Sequence, residues 1–205
     1  MKILLFGITN VGKSTIGKLL SEKLNYEFDD LDEEIKRRYG KIDAFMNKYP
    51  WTYERHKERG KILSDIVNKY EDNAVIAVSS IFYVRCFSKL LEDENILAIE
   101  LQDKPENILK RLVYADEDDN VFPLEITTEK ERKYYLSDIK KDITFFKRTY
   151  AKITNKFDMN GEDPETVVER LAKYIEYIKN GIEPIKNEGK DEKIMGFKVY
   201  NEEQE

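Results

Sequence analysis

One cysteine, Cys86, and one histidine, His56, are all that the 205 residues hold of those two metal-ligating types. A single thiol excludes an internal disulfide and a thiolate metal cluster, and a single imidazole excludes a multi-histidine metal site. Long apolar runs are missing as well. With 37% of residues charged and 40% hydrophobic, no uncharged stretch approaches the ~18 residues that a membrane-spanning helix needs. The opening run Ile3–Phe6, closed by Gly7, is too short for a signal-peptide core, so a cytoplasmic location is expected. An excess of positive charge is the third absence. Asp and Glu number 41 against 35 Lys and Arg, a net charge of -6, and that field repels phosphate backbones and argues against a nucleic-acid partner. A chain of this size folding as one body buries roughly 70% of its unfolded surface. One domain over residues 1–180 with a tail over 181–205 is the expected organisation.

What is present is an alternation of strand and helix patterns. Ile3–Phe6 is continuously apolar, as a strand buried on both faces of a parallel sheet must be. After a glycine-bounded turn, Ile16, Leu19, Leu20 and Leu24 recur at helical spacing. Tyr26–Asp29 reads as a second strand, residues 31–49 as a charged helix broken at Pro50, and Ile62, Leu63, Ile66, Val67 and Tyr70 as the stripe of another helix. Ala74–Val78 and Asn95–Leu101 supply two more strands, and a helix after Pro105 carries Ile108, Leu109 and Leu112. Tyr114–Pro123 has almost nothing to bury and is expected to be a mobile loop, part of a lid over about residues 113–127. Thr128 and Glu131 have capping-box spacing and open a helix to about Tyr150. Lys152–Met159 can hold a fifth strand, and Asp163 with Pro164 starts a last helix that Gly181 stops. In the tail only Met195–Tyr200 has the apolar content to order. The pattern predicts an α/β fold with a central five-stranded parallel sheet and helices on both faces.

The segment GITNVGKS, Gly7–Ser14, fits GxxxxGKS/T and lies between the first strand and the first helix. Backbone N–H groups of such a loop and helix N-terminus converge on nucleotide phosphates. Thr9, Asn10, Val11, Gly12, Lys13, Ser14 and Thr15 are the candidate nucleotide-binding residues, with Lys13 on the β and γ phosphates and Ser14 on Mg²⁺. A GTPase is a competing reading, because TNVGKST resembles GTPase P-loops and NKFD, Asn155–Asp158, matches NKxD. Yet no Asp from 29 to 142 has Gly three residues on, so the DxxG segment is missing, and NKFD falls inside a strand. A motor ATPase would end the third strand in an acid; here it ends Val78, Ser79, Ser80. Asp30 and Asp32, just past the second strand, lie at the sheet edge where ligands bind. One can steady the metal and the other accept a hydroxyl proton. The competing reading for these acids is a solvated helix start favoured by the dipole.

The run FGITNVGKSTIGKLLSEKLNYEFDDLDEEI resembles the N-terminus of shikimate kinases in its P-loop, its TxGxxL helix and its DxDxxI acids. Arg55, Glu58 and Ile62 match an FRxxExxxL helix, with Glu54 in place of the Phe. The resemblance implies that Asp30 is the metal-side acid, that Asp32 contacts the acceptor hydroxyls and acts in catalysis with Lys13, and that Arg55 grips a substrate carboxylate. PENILKRL, Pro105–Leu112, resembles the family's approach to its lid, so Arg111 is implied to pack at the nucleotide. FDMNGEDPETVVERL, Phe157–Leu171, resembles its adenine loop and last helix. Three features depart. The glycine-rich loop VIATGGG is here VIAVSSI, Val75–Ile81, so Ser79 and Ser80 become the candidate substrate contacts. The lid's RPLL is here FPLE, Phe122–Glu125, beside Asp116, Glu117, Asp118 and Asp119. The second carboxylate arginine falls where Phe146 stands. Gluconate kinases, related in fold, carry a Ser-containing segment after this strand. The resemblance implies a P-loop kinase that uses ATP and Mg²⁺ on a small hydroxy acid, shikimate first, or on a polyol. A nucleotide-binding protein without turnover is the reading from another class. The expected state is a monomer or weak homodimer.

Four further expectations concern side chains outside the motif. His56 is expected to be a solvated helix residue. Cys86 is expected to be a small core hydrophobe. Trp51 is expected to pack under a helix start, and Tyr134, Tyr135, Phe145 and Phe146 to join the core.

Overall fold

The computed structural model describes residues 1–116 and 120–181. Five parallel strands form the main sheet: β1 (Lys2–Phe6), β2 (Glu27–Asp30), β3 (Ala74–Ala77), β4 (Ile96–Gln102) and, last in chain order, β7 (Asn155–Asp158). Their spatial order is β2-β3-β1-β4-β7. β1 pairs with β3 on one side (Lys2↔Ala74) and with β4 on the other (Lys2↔Ile96). The central strand is therefore enclosed on all sides, and Ile3, Leu4, Leu5 and Phe6 are all 0% exposed.

Both faces are covered, as the alternation of strands and helices requires. Leu5 lies under Gly17 of helix α1 (Lys13–Leu24). Phe6, which points to the opposite face, meets Phe87 and Tyr150 with ring centroids 5.0 and 5.6 Å apart. Tyr150 caps the long helix α6 (Glu129–Thr149), whose start carries the expected capping box between Thr128 and Glu131. Helix α7 (Pro164–Lys179) begins at the Asp163 cap and packs along α1.

Several boundaries moved. The charged stretch 31–49 is two helices, α2 (Leu31–Tyr39) and α3 (Ile42–Lys48), parted at Gly40, whose φ of 84° closes α2 in a conformation other residues reach at a cost. Helix α4 (Thr52–Lys69) then runs back toward the sheet, and α5 (Pro105–Leu109) follows β4. Two 3₁₀ turns, Val84–Cys86 and Ser88–Glu92, fill a stretch without periodic pattern. The expected loop Tyr114–Pro123 contains a hairpin, β5 (Val113–Ala115) with β6 (Val121–Pro123), joined by the Tyr114 and Phe122 rings. The lid acids Glu117, Asp118 and Asp119 and the segment Met195–Tyr200 lie outside the described residues.

Three packing expectations are corrected in whole or in part, for Tyr135 and Cys86 pack against the core and Phe146 lies in it. Trp51 is 71% exposed, standing at the cap position before the first turn of α4. Tyr134 and Phe145 are on the outer side of α6 at 60% and 48% exposure, while Phe146 is buried and Tyr135 partly so. Cys86 is only half-buried. Its carbonyl presses on Gly60 of α4, where a Cβ would sit 2.1 Å from the oxygen. Gly60→Ala is expected to cost about 1–3 kcal/mol by overpacking, read as a lower urea midpoint. An unchanged midpoint would mean that the 3₁₀ segment slides away freely.

Candidate active site

The loop between β1 and α1 turns back on itself through three residues of positive φ, Gly7 at 147°, Asn10 at 61° and Gly12 at 110°. Glycine at position 12 lets α1 start with its first N–H groups aimed past the sheet edge. Lys13 bends over this loop, and its Nζ donates to the carbonyls of Gly7 (3.0 Å) and Ile8 (2.9 Å). Burial pulls the ammonium down to about 8, against the pull of Asp32 and Asp30. Near neutral pH it stays charged, as phosphate binding demands.

Ser14 donates from Oγ to Asp30 Oδ2 at 2.5 Å. Asp30 ends β2 and also caps α2, accepting from the Asp32 N–H at 2.8 Å. Its carboxyl is raised above the ordinary range by burial, with Asp32 adding to the rise and the Ser14 and backbone bonds opposing it. These are hard oxygen donors of the kind that suit Mg²⁺ held by one or two side chains and phosphates. Among the described residues no group of three His, Cys, Asp or Glu forms a protein-only metal cage.

Asp32 faces the same cleft, a cavity of about 1030 Å³ lined by Thr9, Asn10, Gly12, Lys13, Ser14, Thr15, Asp30, Asp32, Arg55, Arg59, Ser79, Ser80 and Arg111 together with the hairpin residues Val113–Asp116 and Val121. All the candidate residues named from the sequence meet here except Val11. Its side chain is 1% exposed in the core, so only its backbone is left for a ligand. Ser80 Oγ lies 3.3 Å from Thr9 Oγ1, tying the loop after β3 to the P-loop. Asn10 reaches Val113 O at 3.5 Å, which brings the hairpin over the cleft mouth. Ile81 is fully buried. The residue that replaced the last glycine of the motif is thus a core residue.

The two arginines named from the sequence line the cleft but are engaged elsewhere. Arg55 donates to the carbonyls of Tyr49 (3.0 Å), Pro50 (3.2 Å) and Met46 (3.5 Å), bracing the turn between α3 and α4. Arg111 pairs with the buried Asp103. Burial alone would push that carboxyl up, and the bonds from Asn107 and Arg111 outweigh it and hold it below the usual range. The side chain that joins the cleft wall beside Asp32 and Ser79 is Arg59, one helical turn after Arg55. Its Nη1 donates to Ser79 Oγ at 2.7 Å and Asp32 Oδ1 at 3.2 Å. The i, i+4 spacing from Arg55 was the signal that could have found it.

His56 is a correction. It is 5% exposed, stacks on Phe82 with centroids 4.2 Å apart, and its Nδ1 accepts the Phe82 N–H at 3.4 Å. Burial first, then Arg59 and Arg55, push it down to about 4. It is neutral in the fold and protonated in the unfolded chain below about 6.5, so the unfolded state binds the extra proton. Stability is whole above pH 6.5 and falls by about 1.4 kcal/mol per pH unit toward 4. Urea midpoints from pH 6.5 to 4.5 should show this slope, reduced in His56→Phe; equal slopes would mean that His56 is hydrated.

The NKFD side chains are spent on the sheet edge. Asn155 donates to Ala98 O at 3.1 Å, Lys156 pairs with Glu100 and Tyr150 O, and Asp158 accepts the Asn160 N–H. No helix among the described residues is long and apolar enough to cross a membrane.

A parallel sheet with a phosphate loop after its central strand, a paired Ser and Asp beside it and a hairpin over the mouth defines a P-loop kinase fold. The shikimate kinase family model matches residues 9–176, and the chain belongs to that family. A shikimate kinase of Persephonella marina is 30% identical over 171 residues, 82% of this chain and 95% of that one. The bifunctional shikimate kinase/3-dehydroquinate synthase of Thermotoga maritima is 42% identical over 78 residues, 38% of this chain and 15% of that longer protein, so the chain spans only a small part of it. The crystal structure of shikimate kinase from Bacteroides thetaiotaomicron superposes with a TM-score of 0.67 at 24% identity, covering 86% of this chain and 98% of that one.

Proposed function

We propose that the protein moves the γ-phosphoryl group of ATP to a hydroxyl of a small carboxylate-bearing metabolite, with shikimate as the leading acceptor. The observation that carries this reading is the convergence of Lys13, the Ser14 and Asp30 pair, and Asp32 on one cleft at the C-terminal edge of the sheet. In the proposal the P-loop amides and Lys13 bind the β and γ phosphates, with Arg111 at the nucleotide side. Ser14 and Asp30 hold Mg²⁺, which when bound neutralises charge on the phosphates. Asp32 orients the acceptor hydroxyl and takes its proton. Arg55, Ser79 and Ser80 line the acceptor side, and the hairpin closes to exclude water.

Residues 1–180 act in this proposal as the kinase domain, with a lid over 113–127 and an appended tail over 181–205, working in the cytoplasm as a monomer or weak homodimer. Incubation with ATP, Mg²⁺ and shikimate, then gluconate and neutral polyols, tests it. ADP formed only with an acceptor, together with a phosphate ester in the mass spectrum, supports phosphotransfer. Tight ATP binding with no acceptor-dependent ADP overturns it. Turnover of gluconate or a polyol but not shikimate moves the acceptor class and leaves the chemistry.

A further inference from the structure

Resting on that phosphotransfer reading, we infer that Arg59, at an unspecified position within the FRxxExxxL span, recognises the carboxylate of the acceptor. The described cations that line the cleft are Lys13, Lys36, Arg55, Arg59 and Arg111. Lys13 belongs to the phosphate loop, and Lys36 bonds to the neighbouring Glu33. Arg55 is committed to three backbone carbonyls and Arg111 to a buried aspartate. Helix α6 offers no substitute. Phe146 is buried among Phe82, Phe145 and Tyr150, and Arg148 lines a separate groove with Phe82 and Phe145.

Arg59 has the required properties. Its side chain is 12% exposed, so its charge works in a medium where it is poorly screened. It donates through one terminal nitrogen to Asp32 and Ser79, both on the cleft wall, and its guanidinium lies over the Phe45 ring at 5.6 Å. The buried Nε–H has no hydrogen-bond partner among the described residues, a feature shared by Arg111, whose terminal nitrogen is held by buried Asp103 and not by a residue of the cleft wall. A buried donor left unpaired is costly, and the planar guanidinium fork takes a carboxylate bidentately. An incoming carboxylate supplies that partner and shares the guanidinium with Asp32. The acceptor hydroxyl is thereby placed beside Asp32, because the guanidinium and that carboxylate are 3.2 Å apart. The site therefore suits a compact hydroxy acid in which carboxylate and hydroxyl stand close together, and discriminates against the same molecule without its charge.

The test compares kcat/KM for shikimate and for its neutral primary carboxamide in the wild type, Arg59→Ala and Arg59→Lys. Arg59→Ala is expected to raise the KM of the acid by about 10- to 150-fold, the loss of a charged hydrogen bond, while the KM of ATP stays near its wild-type value. The preference for acid over amide should collapse in Arg59→Ala and persist in part in Arg59→Lys, which keeps the charge without the fork. If Arg59→Ala does not fold, a reduced preference in Arg59→Lys carries the same conclusion. Equal losses for acid and amide would show that Arg59 only supports Asp32, and would overturn the inference alone. A wild type that phosphorylates no acceptor overturns the phosphotransfer reading and this inference with it.

Discussion

Lys13→Ala is expected to lower kcat by at least about 10²–10³-fold, the loss from deleting one preorganised charge at the transferring group, while the protein stays folded. The ammonium is enclosed by its own loop, bonded to the Gly7 and Ile8 carbonyls, and held down to about 8 by burial. A charge kept in such a place at a desolvation cost works only when a stronger anion arrives. Its removal relieves that cost, so the thermal midpoint should hold or rise as phosphate binding disappears. Calorimetry with ATP at millimolar Mg²⁺ should show the heat of binding sharply reduced. A variant that turns over at the wild-type rate would remove Lys13 from the phosphates.

Asp32→Asn is expected to reduce kcat by about 10²–10⁴-fold, the range for loss of a general base, with ATP affinity little changed. The amide keeps an oxygen for Arg59 and keeps the side-chain shape, so the change isolates the proton acceptor. Asp30 cannot replace it, since its carboxylate already accepts from Ser14 and from the start of α2. Single-turnover measurements would separate chemistry from release, and a phosphoryl-transfer step near the wild-type rate would mean that Asp32 only positions the acceptor.

The phosphate loop was legible because each of its requirements is local. A buried strand, a positive-φ turn and an amphipathic helix are consecutive in the chain, and their residue types follow from backbone sterics and hydrogen bonding. The capping box of α6 and the Asp163 cap of α7 were legible for the same reason. Asp30 was also within reach, although the strand it ends is shifted by one residue from the expected bounds.

The arginines were not legible in the same way. Arg55 carries the matching spacing, yet its fork turns to the carbonyls of Tyr49, Pro50 and Met46 because the α3–α4 turn leaves them without helical partners. Arg59 has no motif position of its own and acquires its place only because α4 packs against α2 and the 3₁₀ turn Val84–Cys86, which brings it to Asp32 and Ser79. His56 was misjudged by the same limit. A histidine in a charged helix reads as solvated, and only the Phe82 ring brought over it from the segment after β3 makes it a buried neutral group.

Composition and local pattern by themselves determined that this chain is an α/β protein with a central parallel sheet and a phosphate loop on its first turn, because those features depend on neighbours a few residues apart. Tertiary structure alone decided which guanidinium donates to Asp32 and Ser79 on the cleft wall, and that Val11 and Ile81 belong to the core. Those outcomes depend on contacts between residues separated by tens of positions, whose direction no local periodicity records.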